Sequence, residues 1–254
     1  MPYAVNQGVQ IHYQIEGDGQ PLVLQHGFTD SLECWYELGY VEGLKPHYRL
    51  ILIDARGHGA SDKPHQPDAY ERERNVADIT TVLDDLDIPR AHYFGYSMGG
   101  RIGFAIARYA PERVNSLIIG GGSPYPHSQA GPDRMIEALK HGAKAIPSIW
   151  GVPVPPAVSA RLVKNDADAM IACRTKALQS AGYAEILPTM TMQCLLFAGE
   201  DDPVYAENKQ CVRSMPEVTF FSLPGLGHAD TFFRSDLVLP HVTQFLAKWA
   251  DQGW

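Results

Sequence analysis

One serine stands apart because of its neighbours. Gly95-Tyr96-Ser97-Met98-Gly99, followed by Gly100, matches the pattern G-x-S-x-G. A short apolar run, Ala91 to Phe94, leads into it, and a helical stretch from Met98 to Ala110 leads away. A serine at such a strand-to-helix turn occupies a strained backbone conformation that exposes its hydroxyl. Side chains two residues to either side would collide with neighbouring backbone, so glycine is wanted at 95 and 99. The helix N-terminus points free N–H groups at the hydroxyl and favours developing negative charge. The chemistry this suits is attack on a carbonyl.

A serine hydroxyl is a poor nucleophile without a base. Of ten histidines, His228 has the most telling position. It closes Leu223-Pro224-Gly225-Leu226-Gly227-His228, a loop after the last strand-like run, which places it at the same C-terminal sheet edge as Ser97. The base needs a carboxylate to fix its tautomer and stabilise the imidazolium. Gly199-Glu200-Asp201-Asp202-Pro203 follows the preceding strand-like run and offers three acids. The loop after the run ending at Ile119, Gly120 to Ser123, carries none. The oxyanion formed on attack needs donors. The Met98 N–H is one. The Phe28 N–H, in the loop His26-Gly27-Phe28-Thr29-Asp30, is the second candidate. A backbone donor leaves the Phe28 side chain free to line a pocket or to serve as a core aromatic.

Such groups must be brought together by a sheet. Val9 to Ile15 alternates apolar and polar residues, as a half-buried strand does. Pro21 to Leu24, Leu50 to Ile53, Ala91 to Phe94, Val114 to Ile119, Cys194 to Ala198 and Val218 to Leu223 are short runs closed by glycine or polar turns. Strands buried on both faces of a parallel sheet read this way. Helical periodicity separates several of them, at Glu71 to Leu86, Met98 to Ala110 and Leu237 to Trp249. Alternating strands and helices imply a parallel sheet covered on both faces. The segment 124–191 carries no convincing strand. It has helical stretches at Asp133 to Ala143, Val158 to Leu162 and Ala167 to Ala177, divided by Val152-Pro153-Val154-Pro155-Pro156.

The bulk numbers suit an ordinary globular protein. The chain has 254 residues, 45% hydrophobic and 20% charged, enough for one domain with an insertion. A formal net charge of −8 argues against a nucleic-acid partner. The four cysteines form no C-x-x-C and show no zinc-ligand spacing, so reduced thiols are expected. The N-terminus lacks the basic start and apolar run of a signal peptide. No run has the 18 or so apolar residues a membrane span needs. A cytoplasmic location is the resulting expectation. No nucleotide-binding glycine motif occurs, and neither a metal nor an organic cofactor is implied.

These motifs resemble the α/β-hydrolase superfamily, in its branch of small-cap esterases, lactonases and haloperoxidase-like enzymes. His26-Gly27-Phe28, Asp54 to Ser61, Gly95 to Gly100, Gly199 to Asp202 and Gly227-His228 carry the resemblance, which spans residues 26 to 228. It implies a mostly parallel eight-stranded sheet with helices on both faces. It implies a core of residues 1–123 and 192–254 and a helical cap of residues 124–191. In this family the acid sits three residues past the strand-ending glycine, at Asp202, and the triad order is Ser97, Asp202, His228. Arg56, His58 and His26 are structural there. Serine at 97 argues against the relatives that use an aspartate nucleophile.

The resemblance implies a small-molecule acyl substrate and hydrolysis of an ester or lactone. Perhydrolase or haloperoxidase-like activity, carbon–carbon bond hydrolysis, and a ligand receptor with little turnover are the alternatives. Tyr125, Trp150 and Tyr183 are the cap aromatics that could wall a pocket, Tyr125 and Trp150 foremost. Few cationic residues lie near them in sequence, so the expected substrate is uncharged or modestly polar.

Overall fold

A computed structural model describes residues 2–127, 131–150 and 153–249. Val152, the first residue of the proline-rich joint, lies outside them. Among the described residues eight strands form one sheet. They are β1 (Tyr3–Asn6), β2 (Val9–Glu16), β3 (Gln20–Gln25), β4 (Tyr48–Ile53), β5 (Ala91–Tyr96), β6 (Val114–Gly120), β7 (Gln193–Gly199) and β8 (Val218–Leu223). Their order is β1-β2-β4-β3-β5-β6-β7-β8. β2 pairs antiparallel with both β1 and β4, and every later pairing is parallel.

The apolar runs are continuous because both faces of the sheet are buried. Side chains alternate between faces along a strand. Ile51 and Ile53, Tyr93, Leu117 and Ile119, and Leu196 enter one core. Leu50 and Leu52, Phe94, Ile118, and Leu195 and Phe197 enter the other. The first core is covered by α3 (Arg72–Asp85) and α4 (Met98–Tyr109), the second by α1 (Glu33–Glu37), α2 (Tyr40–Leu44) and α11 (Ser235–Leu246). Trp35, fully buried, packs edge-on against Tyr40, Phe94 and Phe232.

Some elements carry little local signal. β1 has four residues, two of them outward and exposed. α1 and α2 have five residues each, too short to show a period. α9 (Tyr205–Val212) buries only Asn208 and Cys211. His228, expected in a loop, opens the short helix α10 (His228–Phe233). The C-terminal helix begins at Ser235 and accommodates Pro240. Between β6 and β7 lie α5 (Arg134–Leu139), α6 (Ile146–Ile149), α7 (Pro156–Leu162) and α8 (Ala167–Leu178), with no strand among the described residues. Leu139, Ile146, Val158, Leu162 and Met170 give this segment a small core, against which Phe28 and Trp150 pack.

The Asp54 to Ser61 turn is structural. The Asp54 carboxylate accepts from the Leu32 N–H (2.8 Å) and the Ala60 N–H (2.9 Å), and pairs with His12 Nδ1 (2.7 Å). Gly59 has φ +50°, and a Cβ there would collide with that carboxylate. Arg56, fully buried, donates from Nε and Nη2 to both oxygens of Asp78 at 2.6 Å. Asn6 supplies a further donor to Asp78 at 2.7 Å. No helix among the described residues is long and apolar enough to cross a membrane.

Two expectations follow. Removing one partner of a buried ion pair strands the other charge, so Asp78→Ala lowers unfolding free energy by about 3–5 kcal/mol. A shifted urea midpoint with an unchanged slope measures it. Burial, with His26 nearby, pushes the His58 pKa down to about 3, and burial pushes His92 down to about 4. Below about pH 6.5 the unfolded chain protonates these imidazoles first. Stability therefore falls as pH drops from 6.5 to 5, by up to about 1.4 kcal/mol per unit for each histidine. Urea midpoints that stay constant across this range would contradict the assignment.

Candidate active site

The strand order reverses between β3 and β5. β4 adds on one side of β3 and β5 on the other, so the loops leaving β3 and β5 diverge over one crevice. Gln25 pairs with Gly95 across it. Ser97 follows β5 with φ 54° and ψ −108°, in the left-handed region that a non-glycine residue enters only under constraint. The constraint is visible. The Ser97 N–H donates to the Gly120 carbonyl at 2.8 Å, and the buried Tyr93 hydroxyl donates to the Gly99 carbonyl at 2.7 Å. A Cβ on Gly95 would strike the Gly99 carbonyl, and one on Gly99 would strike the carbonyl of Gln25. The glycines allow β5, α4 and the end of β3 to close around the serine.

Ser97 Oγ lies 2.8 Å from His228 Nε2, and His228 Nδ1 lies 2.7 Å from Asp202 Oδ2. An ionised carboxylate only accepts, so Nδ1 carries the proton and Nε2 is free to accept from the serine hydroxyl. The Asp202 side chain is fully buried, and its second oxygen accepts from the Val204 N–H at 3.0 Å. Glu200 and Asp201 face outward, and Glu200 accepts from the Ser222 hydroxyl. The Tyr96 hydroxyl donates to the His228 carbonyl at 2.5 Å, tying His228 to the turn that holds the serine.

The loop after β3 lies against Ser97. A Cβ on Gly27 would sit 3.4 Å from the Ser97 Cβ and 4.0 Å from its Oγ. His26 shapes this loop. Its Nδ1 donates to the Gly27 carbonyl (2.8 Å), and its Nε2 accepts from the Ala55 N–H (3.0 Å). Burial holds the His26 pKa down, consistent with a neutral ring. Thr29 has φ +66°, and its carbonyl accepts from Asn165 Nδ2 at 2.7 Å. Asp30 pairs with Arg161, which also reaches Glu37 at 2.8 Å. The segment between β6 and β7 thus fastens the loop that carries Phe28. The Met98 N–H is the first of α4 and has no acceptor within its own helix.

A cavity of about 400 Å³ opens over Ser97 and His228. Phe28, Met135, Trp150, Phe232 and Phe233 give it apolar walls, and Trp150 stacks on Phe233. Tyr125, also expected in the pocket, is not among the residues that line this cavity. It packs against the sheet core, its hydroxyl meets Cys211, and its carbonyl accepts from Arg101. Tyr183 packs on Tyr109 instead.

The expectation of few cations near the pocket is corrected. A side recess of about 50 Å³ shares Phe28, Ser97, Arg101, His127 and Arg174 with the main cavity and adds Arg72. Arg72 and Arg101 come from α3 and α4, and Arg174 from α8, so counting charges in the segment 124–191 alone missed two of the three. Arg101 sits four residues after Ser97, one helical turn along. That spacing was a usable signal; nothing local marks Arg72 or Arg174. Burial, then Arg72, brings the Arg101 pKa down to about 10. Burial, with Arg101, Arg174 and Arg72 adding to it, brings His127 down to about 3.

Metal ligation has one geometric candidate among the described residues. Ligand atoms of His65, Asp166 and Asp168 lie within 4.8 Å of one another. Asp166 already caps α8 through the Ala169 N–H and meets His65 at 3.1 Å, and these residues do not line the cavity.

Comparison with known proteins follows the same lines. A 3-oxoadipate enol-lactonase from Acinetobacter baylyi is 28% identical over 213 residues, 78% of each chain. A 2-hydroxy-6-oxononadienedioate/2-hydroxy-6-oxononatrienedioate hydrolase from Paraburkholderia xenovorans is 34% identical over 148 residues. That match covers 57% of this chain and 49% of the relative, and other relatives are matched over as little as 32% of their length. The crystal structure of an enol-lactonase from Burkholderia xenovorans superposes with a TM-score of 0.86 at 23% identity, covering 97% of this chain and all of that one. A family model described as alpha/beta hydrolase fold matches residues 20–154, more than half of the chain. With an eight-stranded sheet and crevice of this kind, the chain belongs to the α/β-hydrolase fold family.

Proposed function

We propose that this hydrolase cleaves a carboxylic ester or lactone through an acyl-enzyme, with Ser97, His228 and Asp202 as its catalytic triad. The observation that carries the reading is the unbroken chain from Asp202 Oδ2 through His228 to Ser97 Oγ, at 2.7 and 2.8 Å, with Ser97 opening into a 400 Å³ cavity. The similarity to a 3-oxoadipate enol-lactonase over 78% of each chain supports it at the level of reaction class.

The steps follow from these positions. Ser97 Oγ attacks the substrate carbonyl while His228 Nε2 takes its proton. The carbonyl oxygen becomes an oxyanion held by the Phe28 and Met98 N–H groups. Asp202 stabilises the imidazolium and keeps its ring in place. His228 then protonates the leaving alkoxide, which departs or, for a lactone, stays tethered to the acyl chain. Water, deprotonated by His228, attacks the acyl-enzyme and releases the acid. The segment 124–191 acts as a cap on the core of residues 1–123 and 192–254. It walls the pocket through Trp150 and steadies the oxyanion loop through Arg161 and Asn165.

Ser97→Ala removes the nucleophile without adding bulk. It lowers kcat on short-chain esters by about 10⁴-fold or more, with the unfolding midpoint changed little. If the Ser97→Ala variant hydrolysed esters at the wild-type rate, the assignment would be refuted.

A further inference from the structure

We propose that the recess beside Ser97 is an anion subsite and that the substrate carries a carboxylate close to its scissile carbonyl. This rests on the hydrolase reading above and names its substrate class. Three guanidinium groups meet at the recess: Arg72 from α3, Arg101 from α4 and Arg174 from α8. Among the described residues a single carboxylate, Asp133, is in ion-pair contact with any of them, meeting Arg174 at 2.9 Å. Arg101 gives one bond to the Tyr125 carbonyl at 2.7 Å, and Arg72 gives one to Asn75 Oδ1 at 3.1 Å. Glu207 acts on Arg101 without an ion-pair contact.

A guanidinium has five N–H donors, so among the described residues most of those on Arg72 and Arg101 have no protein acceptor. Arg72 is buried and Arg101 half-buried, and cations withdrawn from water without a counter-charge are costly unless something pairs with them. The acids of the wider cavity do not serve, because Asp30 is taken by Arg161 and Asp202 by His228. The recess is small, about 50 Å³, and is continuous with the main cavity through Phe28 and Ser97. That suits a terminal carboxylate, whose two oxygens match the guanidinium fork. The recess shares Ser97 and Phe28 with the main cavity, so an anion seated there holds its carbonyl within reach of the nucleophile. The apolar walls and Trp150 are left for the rest of the molecule.

The test compares monomethyl glutarate with dimethyl glutarate on the intact protein, following methyl-ester hydrolysis by pH-stat. The expected kcat/KM favours the free carboxylate by at least tenfold, and the preference shrinks in 0.5 M sodium chloride. Arg101→Gln and Arg72→Gln each cut that ratio at least fivefold. Because the ratio is internal to each protein, a general loss of activity does not imitate the effect. A wild-type ratio at or below one, or ratios unchanged in both variants, overturns the proposal while leaving the hydrolase reading intact. Titration calorimetry on Ser97→Ala reads the subsite without catalysis. Binding of monomethyl but not dimethyl glutarate supports the subsite even if wild type hydrolyses neither ester, which would defeat the hydrolase reading alone. Equal or absent binding of both overturns the subsite.

Discussion

Everything at this site depends on one strained residue. Ser97 is held at φ 54° by contacts to the backbone on both sides of the turn. Its own N–H is bound to β6, the Gly99 carbonyl is bound by Tyr93, and two flanking glycines let three backbone segments close to within contact. Such a conformation costs about 1–3 kcal/mol and survives only where the surroundings over-determine it. The surroundings here are the two cores on either face of the sheet. Their residues lie in β5 and β6 and extend directly under the turn. The core therefore does more than stabilise the fold: it maintains the geometry in which a hydroxyl, an imidazole and a free amide converge.

The second requirement is that elements remote in sequence stay in register with that turn. Tyr96 does this for His228 through a hydrogen bond to its backbone, and through a stack on Phe232 at 4.4 Å. Asn165 and Arg161 do it for the loop that carries Phe28. The segment between β6 and β7 thus covers the cavity and also grips a loop of the core. A change in how that segment sits would alter the backbone beside Ser97 as well as the shape of the pocket.

Much of this was legible in the sequence. Short apolar runs closed by glycine or a polar turn marked six of the eight strands, as strands of a sheet covered on both faces do, and apolar–polar alternation marked β2. The G-x-S-x-G turn was readable from its spacing between a strand-like run and a helical stretch; the Gly95 collision is local to the turn, whereas Gly99 answers to the Gln25 carbonyl of β3. β1 escaped notice because an edge strand of four residues buries too little to impose a pattern. Choosing among Glu200, Asp201 and Asp202 needed a family resemblance, since three adjacent acids differ only in where the loop turns them. The arginine cluster was hidden for a different reason. Its members come from three helices and meet only because the segment between β6 and β7 folds back over α3 and α4. A charge count along the chain averages over faces that the fold later separates. Tyr125 failed in the opposite sense: being near the crevice in sequence did not decide which way its ring turned.

The most direct test of the central claim is a crystal structure after reaction with a small neutral fluorophosphonate. Phosphorus bonded to Ser97 Oγ, with the phosphonyl oxygen about 3 Å from the backbone nitrogens of both Phe28 and Met98, is the expected result. An unmodified Ser97 beside a phosphonylated residue elsewhere, or an adduct whose oxygen points away from both amides, would contradict it.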